Sequence, residues 1–201
     1  ELPGHGVTSS ERSIDVQEAR ETIREMIFPL IENRENEMIL FVGFSIGGKL
    51  IQSLWPEICK LQDDANGVFI ASPPTQITRW WLIRLFWSTY AFQFRGASSV
   101  MEKMHGEGWK QMVQNCRSWL QPGSPMHCND KAVGALTNDG SSVFWIRGDY
   151  DHAFLDDDFV YLPPENVITV HSGHFDFFSR RTGWKHALPA IDSCFAKILS
   201  S

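Results

Sequence analysis

The sequence predicts an α/β fold built on a mostly parallel sheet. Short apolar strand patterns alternate with helical ones along the chain, and such alternation sets neighbouring strands parallel with helices between them. The clearest strand candidate, "MILFV" at 38–42, is apolar throughout, the pattern of a strand buried on both faces. It runs directly into "GFSIGG" and then a helical segment, so strand, tight turn and helix follow without a loop.

Residues 1–12 are loop-like, with Pro3, Gly4 and Gly6 close together. Ser13 is the expected N-cap of a helix over about 13–32, with Asp15 and Glu18 in its first turn to complement the helix dipole. Within it Val16, Ala19, Ile23, Met26, Ile27 and Leu30 recur every three or four residues. After strand 38–42 come a helix over about 46–60 and a second short strand, "GVFIA" at 67–71. Residues 73–135 lack a strand pattern and are rich in Trp and Phe, as in "RWWLIRLFWSTYAFQF", so they read as an inserted, mostly helical subdomain. Strand patterns resume with "SSVFWIRG" at 141–148 and "NVITV" at 166–170, and a final helix covers about 184–199. The chain thus divides into core residues 1–72, the insert 73–135 and core residues 136–201.

The 201 residues are 43% hydrophobic, enough for one real core. A net charge of −6, with no run of basic residues, argues against a nucleic-acid partner. No apolar run reaches spanning length, so no transmembrane segment is expected; the nearest, Trp80 to Trp87, is broken by Arg84. Cys59, Cys116, Cys128 and Cys194 are widely spaced with no CxxC pair. They read as reduced thiols, not a disulfide framework or zinc site. The cytoplasm or an organellar lumen is the expected location, with a leader segment able to lie outside the sequence given.

Gly43-x-Ser45-x-Gly47 between a strand and a helix has the form of a nucleophile elbow. The serine sits at a sharp, strained turn, and Gly43 and Gly47 are the small flanking residues that let strand and helix approach. Placed at the helix start, Ser45 would have the Ile46 N–H beside it as an oxyanion donor. By chance GxSxG occurs in roughly one 200-residue chain in fifteen. The motif alone is therefore weak, and its context and partners carry the weight. A serine needs a base, and the base an orienting carboxylate, in the chain order Ser, acid, His. "VFWIRGDYDHAF" ends a later strand with Asp149 and Asp151, and "VITVHSGHFDFF" ends the next with His171 and His174. Both sets lie just past strand ends, where ligands bind in open α/β sheets.

"LPGHG" at 2–6, "GFSIGG" at 43–48, "GDYD" at 148–151 and "SGHF" at 172–175, in this order, resemble the recurring pieces of the α/β-hydrolases with a helical cap. The resemblance spans nearly the whole chain and implies their fold, with 73–135 as the cap. The family's Gly-x-x-Asp pattern implies Asp151 as the acid, with Asp149 a neighbour, and its Gly-His step implies His174 as the base. In the family, three strands and a helix precede the "LPGHG" loop, and the loop after the third strand supplies a second oxyanion donor. Roughly sixty or more residues of this kind are expected outside the sequence given, upstream or on a second chain that completes the sheet. Without them, strand 38–42 would be an open edge.

The pocket is expected to be apolar, lined by Phe44 and Phe175 beside the serine and histidine and by Trp81 and Trp87 of the cap. The aromatics of the cap also suit packing onto the sheet, or an interface with Arg79 and Arg84. Asp156, Asp157 and Asp158 near His152 read as a solvated acidic loop, and His127, Cys128 and Asp130 lack zinc spacing, so no metal site is expected. His5 reads as ordering its own loop.

The leading expectation is a serine hydrolase acting, without cofactor or metal, on a small or medium apolar ester or related acyl substrate. The fold does not fix the reaction. The pattern is also similar to the pyruvate-eliminating lyases of menaquinone and phylloquinone biosynthesis (SHCHC-synthase-like), which use the same triad. A non-catalytic subunit of a larger assembly is the third reading.

Overall fold

The computed structural model describes residues 15–34, 37–62, 65–72, 124, 142–151, 154–160, 162–174, 177 and 183–200. Apart from Ser124, the expected cap lies outside them, as do His5, Ser13, His152, Trp81, Trp87 and Phe175.

Helix α1 (Val16–Glu32) starts two residues later than a Ser13 cap would place it, because Asp15 takes that role. Asp15 has extended backbone (φ −66°, ψ 145°) and its carboxylate accepts the Gln17 N–H at 3.2 Å. Strand β1 is Leu40–Phe44, helix α2 Ser45–Leu61, β2 Asn66–Ile70, β3 Val143–Gly148, β4 Val167–Val170 and helix α3 Gly183–Ser200. The four strands form one parallel sheet in the order β1-β2-β3-β4, as the alternation of strands and helices predicts.

Strand β1 differs from expectation in place and in burial. It begins at Leu40, opposite Asn66, so Met38 and Ile39 precede the ladder and Phe44 extends it to Ile70. Its burial is also one-sided: Val42 is 50% exposed, while every residue of β2 is buried. Among the described residues β1 pairs only with β2 and stands at the sheet edge, whereas β2 is flanked on both sides.

The pleat sorts the sheet's side chains into two layers. Phe41, Phe69 and Trp145 face α1 and α2, packing with Ala19, Leu50, Leu54, Trp55 and Ile58. Val68, Ile70, Phe144 and Ile146 face α3, packing with Ala187, Ala190, Cys194 and Ile198. Rings step across the first layer from Phe41 to Trp55 (5.8 Å between centroids, 80°), to Phe69 (5.7 Å, 75°) and to Trp145 (5.7 Å, 47°). The first two contacts are edge-to-face, a geometry worth about 0.5–1.5 kcal/mol per pair beyond the area buried. Cys59 and Cys194 are thiols outside any disulfide. Burial pushes the Cys194 thiol up to about 11, so it stays protonated and unreactive at neutral pH. No described helix is long and apolar enough to cross a membrane.

With both cores assembled, the carboxyl ends of β1, β3 and β4 present three short segments at the same end of the parallel sheet.

Candidate active site

Strand β1 ends at Phe44 and α2 begins at Ser45, so a single residue makes the turn. Ser45 has φ 46°, in the left-handed region where a residue with a side chain is strained by about 1–3 kcal/mol. For the two elements to diverge from one point their backbones must nearly touch. A Cβ on Gly43 would collide with the Gly48 Cα, and one on Gly48 would stand 2.5 Å from Ser72 Oγ and 2.8 Å from its Cβ. A Cβ on Gly47 would meet nothing within 4 Å. The close-approach pair is therefore Gly43 and Gly48, not Gly43 and Gly47. Gly48→Ala should lose about 1–3 kcal/mol to overpacking. Gly47→Ala should gain up to about 1 kcal/mol of helix propensity. Urea unfolding of the two variants checks that order, and the reverse order would contradict it.

The segment after β3 is shaped by a turn in which the Asp151 N–H donates to the Gly148 carbonyl at 3.2 Å. That turn brings the Asp151 side chain back over the strand ends, where the residue is 2% exposed. A buried carboxylate must be hydrogen-bonded. Here Oδ1 accepts the Phe154 N–H at 3.3 Å, and Oδ2 lies 2.8 Å from His174 Nδ1. A carboxylate only accepts, so Nδ1 is the donor and Nε2 presents its lone pair. His174 Nε2 is 3.0 Å from Ser45 Oγ. The imidazole lies against the rings of Phe44 (5.4 Å) and Phe154 (5.2 Å), and its side chain is 13% exposed.

The two aspartates and two histidines of the sequence thus sort into two pairs, one buried and one exposed. Asp149 Oδ2 lies 3.0 Å from His171 Nδ1, and its Oδ1 accepts the Ser172 N–H at 3.1 Å. The Tyr150 N–H donates to the Ser172 carbonyl at 3.2 Å, and the Tyr150 ring meets the His171 ring edge-on at 4.6 Å. The hydrogen bond to His171 holds the Asp149 carboxyl below its ordinary value of 3.8. A depressed carboxyl contributes stability above its unfolded pKa, lost as pH falls through the folded one. Asp149→Asn should therefore flatten the loss of stability at pH values below that ordinary value, a modest effect for so exposed a pair. Thermal unfolding across the acid range measures it; an unchanged acid limb would contradict the assignment.

Asp156, Asp157 and Asp158 form a short 3₁₀ turn. Asp158 Oδ2 accepts the Leu155 N–H at 2.8 Å, and Asp156 pairs with Arg147. Among the described residues no group of three or more His, Cys, Asp or Glu comes together as a metal site. Of the expected pocket residues, Phe44 is at the site. Ile46 follows Ser45 in the first turn of α2, where backbone N–H groups lack an acceptor within the helix.

Sequence reasoning missed Phe154 and Ser72. Phe154 supplies a backbone donor and a ring to the Asp151–His174 pair, and its spacing of three from an aspartate was the available signal. Ser72 is fully buried after β2, and a polar residue closing an all-apolar strand was its mark.

No protein-family model matches the sequence, and no curated protein matches it by sequence. Solved structures do match. A carboxylesterase of the thaumarchaeon Nitrososphaera gargenis superposes with a TM-score of 0.61 at 16% identity, over 100% of this chain and 79% of that one. An N-formylmaleamic acid deformylase of Pseudomonas putida gives 0.58 at 11% identity, with the same coverage of both chains. A protein assigned as a non-heme bromoperoxidase of Mycobacterium tuberculosis gives 0.55 at 15%, again covering 100% and 79%.

The fold is that of the α/β-hydrolases. At such identities the likeness concerns the fold, and the chemistry rests on the side chains. On this fold, Ser45, His174 and Asp151 form one hydrogen-bonded line across the carboxyl ends of β1, β4 and β3. Such a line can carry a proton from a hydroxyl to an imidazole and back.

Proposed function

We propose that the chain is a serine hydrolase that cleaves a small or medium apolar ester or related acyl substrate. The observation that carries this reading is the line from Ser45 Oγ to His174 Nε2 (3.0 Å) and from His174 Nδ1 to Asp151 Oδ2 (2.8 Å). Names of structural neighbours add support, since one is a carboxylesterase and another a deformylase.

Ser45 Oγ attacks the acyl carbon as His174 Nε2 takes its proton, and the carbonyl electron pair moves onto the oxygen. The Ile46 N–H, at the positive end of α2, faces that oxyanion. Collapse expels the alcohol, which receives the proton from His174 and leaves Ser45 acylated. Water then attacks with His174 again as base, releasing the acid and restoring Ser45. Asp151 holds the imidazole in the useful tautomer and stabilises its cationic form. Phe44, whose ring lies 5.4 Å from that of His174, supplies an apolar side to the pocket.

Turnover of short-chain p-nitrophenyl esters tests this. Wild-type hydrolysis that disappears in Ser45→Ala and in His174→Ala is the expected result. Turnover that persists in Ser45→Ala, or none in the wild type across acyl lengths, would overturn it.

A further inference from the structure

Two non-glycine residues among those described have left-handed backbone, Ser45 (φ 46°) and Ala71 (φ 43°). They stand one residue past the ends of neighbouring strands, whose last paired residues are Phe44 and Ile70. Ala71 is tied to β3 by its N–H, which donates to the Ile146 carbonyl at 2.8 Å. The chain turns there and brings Ser72, fully buried, under the first turn of α2. Ser72 Oγ donates to the Ser45 carbonyl at 3.0 Å and accepts from Gln52 Nε2 at 3.2 Å. Gln52, also buried, sits two turns along the helix that Ser45 begins.

The Ser45 carbonyl and the Ile46 N–H belong to one rigid peptide plane and point in opposite directions across its trans bond. Whatever holds the carbonyl therefore aims the N–H. We propose that Ser72 is a positioning residue: its hydroxyl fixes the Ser45–Ile46 peptide so that the Ile46 N–H faces the developing oxyanion, and Gln52 orients that hydroxyl. The inference rests on the reading of Ser45 as nucleophile. Ser72 lies on the far side of the peptide from the reacting atoms, and acts through Ile46. Gln52 donates to Ser72 Oγ, which directs the one hydroxyl proton of Ser72 to the Ser45 carbonyl.

The test measures kcat, KM and Tm of wild type and Ser72→Ala with a short-chain ester, alongside the rate of Ser45 phosphonylation. Removing an oxyanion donor costs 10²–10³ in rate, and letting one swing out of line costs part of that. The expected result is a kcat lowered by about ten- to a hundredfold at unchanged KM, with phosphonylation slowed in parallel. Gln52→Met, which leaves the Ser72 hydroxyl in place, should fall between the two. A purely structural role would lower Tm while leaving kcat per folded molecule unchanged, and that outcome overturns the inference but not the nucleophile. A wild type with neither turnover nor labelling at Ser45 overturns both.

Discussion

Asp151→Asn lowers kcat for ester turnover by about 10⁴-fold, or about 5 kcal/mol of transition-state stabilisation, while the protein stays folded. The direction follows from how the carboxylate is held. Oδ1 accepts the Phe154 N–H, so an asparagine at 151 would keep its carbonyl there and turn its NH₂ toward His174. An NH₂ can only donate to Nδ1. The imidazole would then carry its proton on Nε2, aimed at Ser45 Oγ, and could not accept from it. Asp149→Asn alters only the exposed pair with His171 and leaves the Asp151–His174 contact in place. Steady-state kinetics of the two variants measure the contrast. A loss below about tenfold in Asp151→Asn would contradict the role given to Asp151.

Ser45→Gly and Ser45→Ala are equally inactive, each losing about 10⁶ in kcat, yet they differ in stability. Both remove the nucleophile and the contact with His174. Alanine keeps a side chain at φ 46°, whereas glycine takes that backbone without strain. The glycine variant should therefore be the more stable of the two by about 1 kcal/mol. Urea unfolding of the pair gives this difference, with the unfolded-state entropy of glycine acting against it. An alanine variant as stable as the glycine one would mean that the left-handed turn at Ser45 stores no strain.

Much of the fold was legible because it follows from patterns within one element. Helical spacing marked α1 and α2, and the apolar runs at 67–71 and 141–148 marked β2 and β3 to within two residues. What was misplaced depends on groups far along the chain. The start of β1 at Leu40 is set by its partner Asn66, which no local pattern reveals. Its apolar composition implied two covered faces, yet Val42 is half exposed because the described sheet ends there. The N-cap passed from Ser13 to Asp15 because the carboxylate that reaches an N–H decides, and both residue types make good caps.

At the site, Ser45 was legible from its strand–turn–helix setting, but the four acid and histidine residues were not separable by type alone. Asp149 and Asp151 are two apart, and His171 and His174 three apart, so either acid could reach either base. The structure pairs them by depth, burying Asp151 with His174 and leaving Asp149 with His171 outside. The contact that makes Gly48 and Ser72 matter was not legible, for a shared reason. Their importance is a contact between the elbow and the end of the next strand, and such contacts have no fixed spacing in sequence.

Site mapping of a fluorophosphonate adduct tests the central claim most directly, because the probe reacts with an activated serine whatever the natural substrate. The protein is incubated with the probe, digested, and the modified peptide sequenced by mass spectrometry. A single adduct on Ser45, absent in His174→Ala, is the predicted result. An adduct elsewhere, or none on the folded protein, would contradict the account.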